Sequence, residues 1–263
     1  MSKSSIHLFL LLSLFSFCLL TCQNQVQEQK NSTKEKPADI TSNKTIQKVQ
    51  QLTVLPSIDG LGDDPSWQNL KWHPIDQVWL GNPPSKDDFS GRYKIAWAKD
   101  FLYLLVEVTD DQLVDTHPDG LQRYWDDDCV EVFIDENHSG GNHQYSHNAF
   151  AYHIATDYKV ADIGPDSLPH YYNDHVNVKR TQNEQLHTWE MAIAIYDDTF
   201  VDNGQNRPKQ LASNKTMGFA IAYCDNDQSK ERENFIGSVF VPGEDKNRGW
   251  IDAGIFGSIL LVE

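Results

Sequence analysis

The densest collection of reactive side chains lies between Tyr124 and Asn137, where Trp125, Asp126, Asp127 and Asp128 run directly into Cys129-Val130-Glu131-Val132-Phe133-Ile134-Asp135. Carboxylates at this density can accept hydrogen bonds from a hydroxyl-rich ligand, hold a divalent cation, or share acid and base duties in glycoside hydrolysis. Hydrolysis needs two carboxyl groups facing each other across a scissile bond. The acids at 126, 127, 128 and 131 lie along one side of a single extended segment, and the sequence offers them no opposing partner. Alternation puts Val130, Val132 and Ile134 on one strand face and Cys129, Glu131 and Phe133 on the other. Glu131 therefore sits on a semi-apolar face, where it either pairs with a cation on a solvated surface or serves a ligand.

Other candidate centres are weaker. Asp135-Glu136-Asn137-His138-Ser139-Gly140 begins like a calcium loop, with oxygens at alternate positions and then glycine, but its twelfth residue is Ser146 in place of a bidentate Glu. Asp225, Asn226 and Asp227, followed by Glu231, form a second oxygen-rich loop. His138, His143, His147 and His153 match no tight zinc spacing, and no cysteine pair joins them. A serine nucleophile elbow and a nucleotide-binding glycine loop are both missing. Met191 and Met217, the methionines after Met1, are not placed as haem axial ligands. Cys129 and Cys224 each fall in an apolar, strand-like run, which suits either a disulfide in an oxidising compartment or two buried thiols.

The elements that must position these groups read as strands. Arg92 to Trp97 and Phe101 to Val108 flank Ala98-Lys99-Asp100 at hairpin spacing. Further strands are predicted at Cys129 to Asp135, Ala149 to Thr156, Thr188 to Ile195, Gly218 to Cys224, Phe235 to Val241 and Ser258 to Val262. Only Asp64-Pro65-Ser66-Trp67-Gln68-Asn69 reads as a helical turn, with Asp64 as cap and Pro65 at the first helical position. Many strands without intervening helices predict an all-β domain, a two-sheet antiparallel β-sandwich of jelly-roll or immunoglobulin-like type, over residues 51–263.

Taken together, Ile58-Asp59-Gly60 with Asp64-Pro65-Ser66-Trp67, the Ala98-Lys99-Asp100 hairpin, and Trp125-Asp126-Asp127-Asp128 leading into Val130 to Asn137 resemble carbohydrate-binding module family 9. The resemblance runs from about Val54 to the C-terminus. It implies a non-catalytic domain in which a sugar is clamped between two tryptophans, here Trp125 and Trp250, with Glu131 accepting hydrogen bonds from hydroxyls and Asn247 adding an amide. Pyranose rings have apolar C–H faces that stack on aromatics and hydroxyls that need planar polar partners, so this set suits them. Family members can carry an arginine on the strand after the acidic one, where this chain has Ala149-Phe150-Ala151-Tyr152-His153-Ile154, and His153 is the nearest polar candidate. The resemblance also implies a structural calcium, for which Asp135 and Asn137, or Asp225 and Asp227, are the candidates. Partners would be mono- or oligosaccharides or polysaccharide chain ends. The alternatives are a hydrolytic or hydrolase-associated protein acting on glycosyl bonds, and a structural or protein-binding lipoprotein of the envelope.

The remaining segments speak to location. Lys3 precedes an apolar run, Leu8 to Leu20, that is short for a membrane span and ends in Leu19-Leu20-Thr21-Cys22. This resembles a bacterial lipoprotein signal over residues 1–21, with lipidation at Cys22 anchoring the protein in the cell envelope. Residues 22–50 are dominated by Gln, Asn, Lys, Glu, Ser and Thr, without an aromatic, and predict a polar tether of roughly 30 Å reach. A net charge of -16 and the lack of a basic patch exclude nucleic acid as partner.

Overall fold

The computed structural model describes residues 45–227 and 229–263; the expected signal segment, Cys22 and the tether through residue 44 lie outside them. In chain order the elements are β1 (Gln47–Gln51), α1 (Pro65–Gln68), β2 (His73–Ile75), β3 (Gln77–Leu80), β4 (Phe89–Trp97), β5 (Leu102–Asp110), β6 (Cys129–Asp135) and β7 (Phe150–Ala155). They continue with β8 (Val160–Ile163), β9 (Pro169–Tyr171), β10 (Val176–Asn183), β11 (Leu186–Ile193), β12 (Thr216–Asp225), β13 (Asn234–Gly237) and β14 (Gly257–Val262).

Period-two alternation builds the core. Ile95, Leu104, Val106, Trp189 and Met191 from one set of strands share a single apolar cluster with Val130, Val132, Tyr152, Phe219 and Ile221 from another. Aromatic contacts cross between the sets: Phe89 stacks on Tyr223 at 5.5 Å and Tyr93 meets Phe219 at 5.9 Å. Two sheets therefore stack face to face. One runs β10-β11-β5-β4 and the other β14-β12-β6-β7-β8-β9, while β1 hydrogen-bonds to both and forms their seam. Burying such side chains stabilises by about 1.5–3 kcal/mol each, and the result is the all-β sandwich that alternation predicts.

Four expectations need correction. The tether was expected to run through Gln50, yet Gln47–Gln51 is a strand, because ladder bonds to β14 and β4 use its backbone and Val49 alone need be apolar and fully buried. This strand runs parallel to both neighbours, so the sheet is mixed rather than purely antiparallel. Asp64 does not cap α1 with its side chain; its Oδ2 instead accepts from Ser57 N at 3.0 Å and ties down the preceding loop. The strand predicted from Phe235 ends at Gly237, and Met191 and Met217 are core residues.

Buried histidines make the fold sensitive to acid. His187 is almost fully buried and its Nδ1 faces Arg180 Nη1 at 2.8 Å. Burial first, and the Arg180 charge second, lower its pKa from 6.5 to about 4. The unfolded chain takes up this proton near the ordinary value while the folded chain resists until far lower pH, so stability is lost as pH falls through that window. Urea unfolding of wild type and His187→Gln, at about pH 7 and about pH 5, should show a larger loss for wild type; equal losses would clear His187 of the effect.

Candidate functional site

The site lies on the outer face of the second sheet. Strand β6 is buried along its whole length, its inner residues by the opposite sheet and its outer ones by loops. The outer face is floored by small side chains, Ala149, Ala151, Ala220 and Ala222, with Phe133 and Phe235 rising from it. A face made of alanines leaves depth that larger residues would fill. Glu131 stands in this floor, directly across the ladder from His153 on β7 and Ala222 on β12.

A buried carboxylate is costly unless paired and hydrogen-bonded, and Glu131 is both. Its Oε1 receives His153 Nε2 at 2.6 Å, Arg232 Nη1 at 3.0 Å and the Cys224 thiol at 3.0 Å. Burial alone would raise the carboxyl, but the His153 charge and hydrogen bond, helped by the Arg232 guanidinium, hold it below the ordinary carboxylate range. All three contacts fall on one oxygen. Oε2 takes none of them.

Arg232 is the residue that sequence reasoning missed. It reaches the floor from the loop before β13, lies over the Phe235 ring at 4.1 Å, and donates from Nη2 to Asn247 Oδ1 at 3.2 Å. With Oδ1 taken, Asn247 presents its amide nitrogen. Lys230-Glu231-Arg232-Glu233 reads as a solvated charge run, and the aromatic at Phe235 was the only local hint. The arginine missing from the strand after β6 is thus matched by one arriving from another element.

The walls carry the aromatics. Of seven tryptophans, only Trp125 and Trp250 are exposed, at 40% and 37%. Tyr124 packs edge-on against both Trp125 and His153, at 5.0 and 4.6 Å, so the acidic strand and the first tryptophan are one packed unit. The Trp250 loop is fixed through His143 Nε2, 2.7 Å from Gly249 O, and through Ile251 N to Arg248 O at 3.0 Å. Gly249 is required by close approach: a Cβ there would lie 2.9 Å from the Phe133 ring. Trp125, Glu131, His153, Asn247 and Trp250, the five expected ligand residues, line a single cavity of about 300 Å³ together with Arg232 and Tyr145.

The other acids have separate tasks. Asp126 accepts from Arg123 Nε at 2.8 Å, and Asp127 accepts from Thr116 N and His117 N at 2.9 Å each. Cys129 and Cys224 face each other across the ladder as free, buried thiols, the second of the two arrangements their sequence allowed. Asp135 and Asn137 accept from Gly140 N and Ser139 N and so shape their own loop, although Asp135 Oδ1 is buried without a partner. They sit at the opposite end of the β6–β12 ladder from Asp225, since Asp135 pairs with Gly218 and Cys129 with Cys224. Asp225 instead joins Asp110 and Asp128 in a buried carboxylate trio, and Asp227 joins Asp88 and Asp111 in a second group that is partly exposed. Burial, reinforced by Asp110, pushes Asp128 up to about 9 and Asp225 up to about 8. The donors to the first trio are backbone amides, Tyr223 and Asn234, with no cationic side chain among them. Hard oxygen donors short of positive charge fit a calcium ion.

Comparison with known proteins places the chain in a family. A family model described as carbohydrate family 9 binding domain-like matches residues 58–263. A carbohydrate-binding module family 9 from Caldicellulosiruptor kristjanssonii, solved in complex with cellotriose, superposes with a TM-score of 0.61 at 20% identity, covering 83% of this chain and 94% of that one. The same organism's module in complex with glucose gives 0.59 at 20% identity, covering 82% and 95%. Endo-1,4-beta-xylanase A of Thermoanaerobacterium saccharolyticum is 29% identical over 119 residues, 45% of this chain but only 9% of that enzyme. The solved neighbours share the β-sandwich, and the family match spans nearly the whole described domain. By sequence and by fold, the chain belongs to the carbohydrate family 9 binding domain-like family.

Proposed function

We propose that the domain binds carbohydrate without catalysis, clamping a sugar ring between Trp125 and Trp250 while Glu131 Oε2, the Asn247 amide and Arg232 engage its hydroxyls. The observation that carries this reading is the gathering of both exposed tryptophans with a half-coordinated, buried carboxylate in one cavity. His153 acts through Glu131, because its Nε2 is already bonded to that carboxylate. Hydrolysis is disfavoured: Glu131 is held by three donors on one oxygen, and Asp126, Asp127 and Asp128 are bonded elsewhere. Neighbours in complex with glucose and cellotriose support a glucose-based sugar or chain end as ligand. Similarity to part of a xylanase supports a role beside polysaccharide-degrading enzymes. The signal-like residues 1–21, lipidation at Cys22 and the polar segment after it would hold the domain at the cell envelope.

Trp125→Ala and Trp250→Ala test the clamp. Calorimetric titration with glucose and cellotriose should show at least about a tenfold loss of affinity for each, roughly 1.4 kcal/mol, with little change in melting temperature. Unaltered binding would sink the clamp, and an unfolded variant would assign that tryptophan to the core.

We also propose that Asp110, Asp128 and Asp225 hold a structural calcium, with Asp88, Asp111 and Asp227 adjacent. The support is three buried carboxylates facing one another with no basic side chain bonded to them among the described residues. Saturating calcium should raise the melting temperature over that in a chelator, by the mass action of a ligand bound only to the folded state. Asp128→Asn should shrink that difference. No calcium effect on the wild-type protein would remove the ion.

A further inference from the structure

We propose that a groove at the edge of the sandwich, built on Asp202, His175, Tyr196 and Tyr171, is a separate carbohydrate site that works independently of the tryptophan cavity. The groove, about 490 Å³, lies between β9, the 3₁₀ turn Asn173–His175 and the segment 196–206 after β11. It shares no lining residue with the cavity around Glu131. The inference extends the sugar reading to another place and rests on other residues.

Asp202 supplies the acceptor. Tyr172 donates its hydroxyl to Asp202 Oδ1 at 3.0 Å, and His147 Nε2 lies 3.2 Å from that same atom. Among the described residues no donor is bonded to Oδ2, the arrangement already seen at Glu131, whose partners also gather on one oxygen. His175 supplies the donor. It is almost fully buried, and the hydroxyl of Tyr152, itself buried, lies 2.7 Å from its Nδ1. That hydroxyl has no other acceptor among the described residues, so it donates and Nδ1 accepts. Burial first, and the His147 charge second, lower the His175 pKa from 6.5 to about 4, so the imidazole is neutral near neutral pH and carries its proton on Nε2. Nε2 is bonded to no described residue, and His175 lines the groove. A neutral N–H and a carboxylate oxygen in one groove match a pair of adjacent hydroxyls, one accepting and the other donating.

Aromatic rings complete the match. Tyr196 stacks on His175 at 4.1 Å and meets Phe200 edge-on at 5.0 Å, while Tyr171, 40% exposed, stands on the edge strand β9. Rings mixed with polar groups suit a sugar, which presents apolar C–H faces and hydroxyls together. The segment that carries Phe200 and Asp202 is fixed from within. Asn206 Oδ1 accepts from Val201 N at 2.9 Å, its Nδ2 donates to Val201 O at 2.8 Å, and Phe200 N donates to Asp197 O at 3.0 Å. Asp197 in turn pairs with Lys209 at 2.7 Å. The polar groups are therefore in place before a ligand arrives, which lowers the entropic cost of binding.

Amide NMR of the full-length protein, titrated with glucose, galactose, mannose and cellotriose, reads the two places separately. At least one of these sugars should shift the amides of residues 173–175 and 200–204, and those shifts should persist in a Trp125→Ala/Trp250→Ala double variant. Asp202→Asn keeps an oxygen for Tyr172 but puts an amide N–H where Oδ2 stood; it should weaken groove binding at least about tenfold while leaving binding at the cavity within about twofold. Groove amides that never move, that move only when both tryptophans are intact, or that respond equally in Asp202→Asn would overturn the separate site. Should the double variant fail to fold, Asp202→Asn alone decides. Shifts at the groove with none around Trp125 and Trp250 would uphold the groove and sink the clamp instead.

Discussion

The whole outer face of the second sheet is organised around one constraint: Glu131 carries a charge that is almost entirely removed from water. Removing one partner from a buried ion pair typically costs about 3–5 kcal/mol, because a bare charge is left behind. Three elements must therefore deliver donors to the same oxygen. Strand β7 brings His153 by register, β12 brings the Cys224 thiol by register, and the loop before β13 brings Arg232 by reach. Because Arg232 also binds Asn247, pairing Glu131 correctly fixes the loop that carries Trp250. Charge satisfaction and site assembly are the same event.

The packing around that carboxylate follows from it. Alanines at 149, 151, 220 and 222 keep the floor deep enough for a guanidinium to lie flat on Phe235 beside Glu131. Gly249 lets the Trp250 loop descend onto Phe133, where any side chain would hold it off. Tyr124 wedges between Trp125 and His153, so the first tryptophan inherits its position from the histidine that serves Glu131. The cavity is what remains after these contacts are made.

Much of this was legible in the sequence, and what was not has physical causes. Long strands with alternating apolar residues, such as β5 and β6, declare both their type and their faces, and the Cys129–Glu131–Phe133 outer face is as alternation requires. Strands β1 and β10, QKVQQ and VNVKRTQN, do not, because their stability comes from neighbours' ladders more than from their own side chains. The short strands β2, β3, β8 and β9 are missed for lack of length. Local signals found the five cavity residues because the family resemblance fixes their order along the chain. Arg232 escaped because its role depends on tertiary distance: it lies 101 residues from the carboxylate it neutralises.

A second buried glutamate on the other sheet is held differently from Glu131. Glu190 lies on the outer face of the first sheet and is fully buried. Its Oε1 accepts from Trp67 Nε1 at 2.7 Å, and its Oε2 accepts from Gly60 N at 2.7 Å and Asp59 N at 3.1 Å. Both oxygens are occupied by protein donors, and Gly60, whose Cβ would meet the Arg180 backbone at 2.8 Å, seals the place. That glutamate is a latch for the loop that covers its sheet. Glu131 has as many donors, yet all of them converge on one oxygen, and the loops above it stop short of closing. The two sheets thus use the same device, a buried carboxylate on the outer face, to opposite ends. Where the donors are shared between both oxygens the face is shut, and where they crowd onto one the residue lines an open cavity.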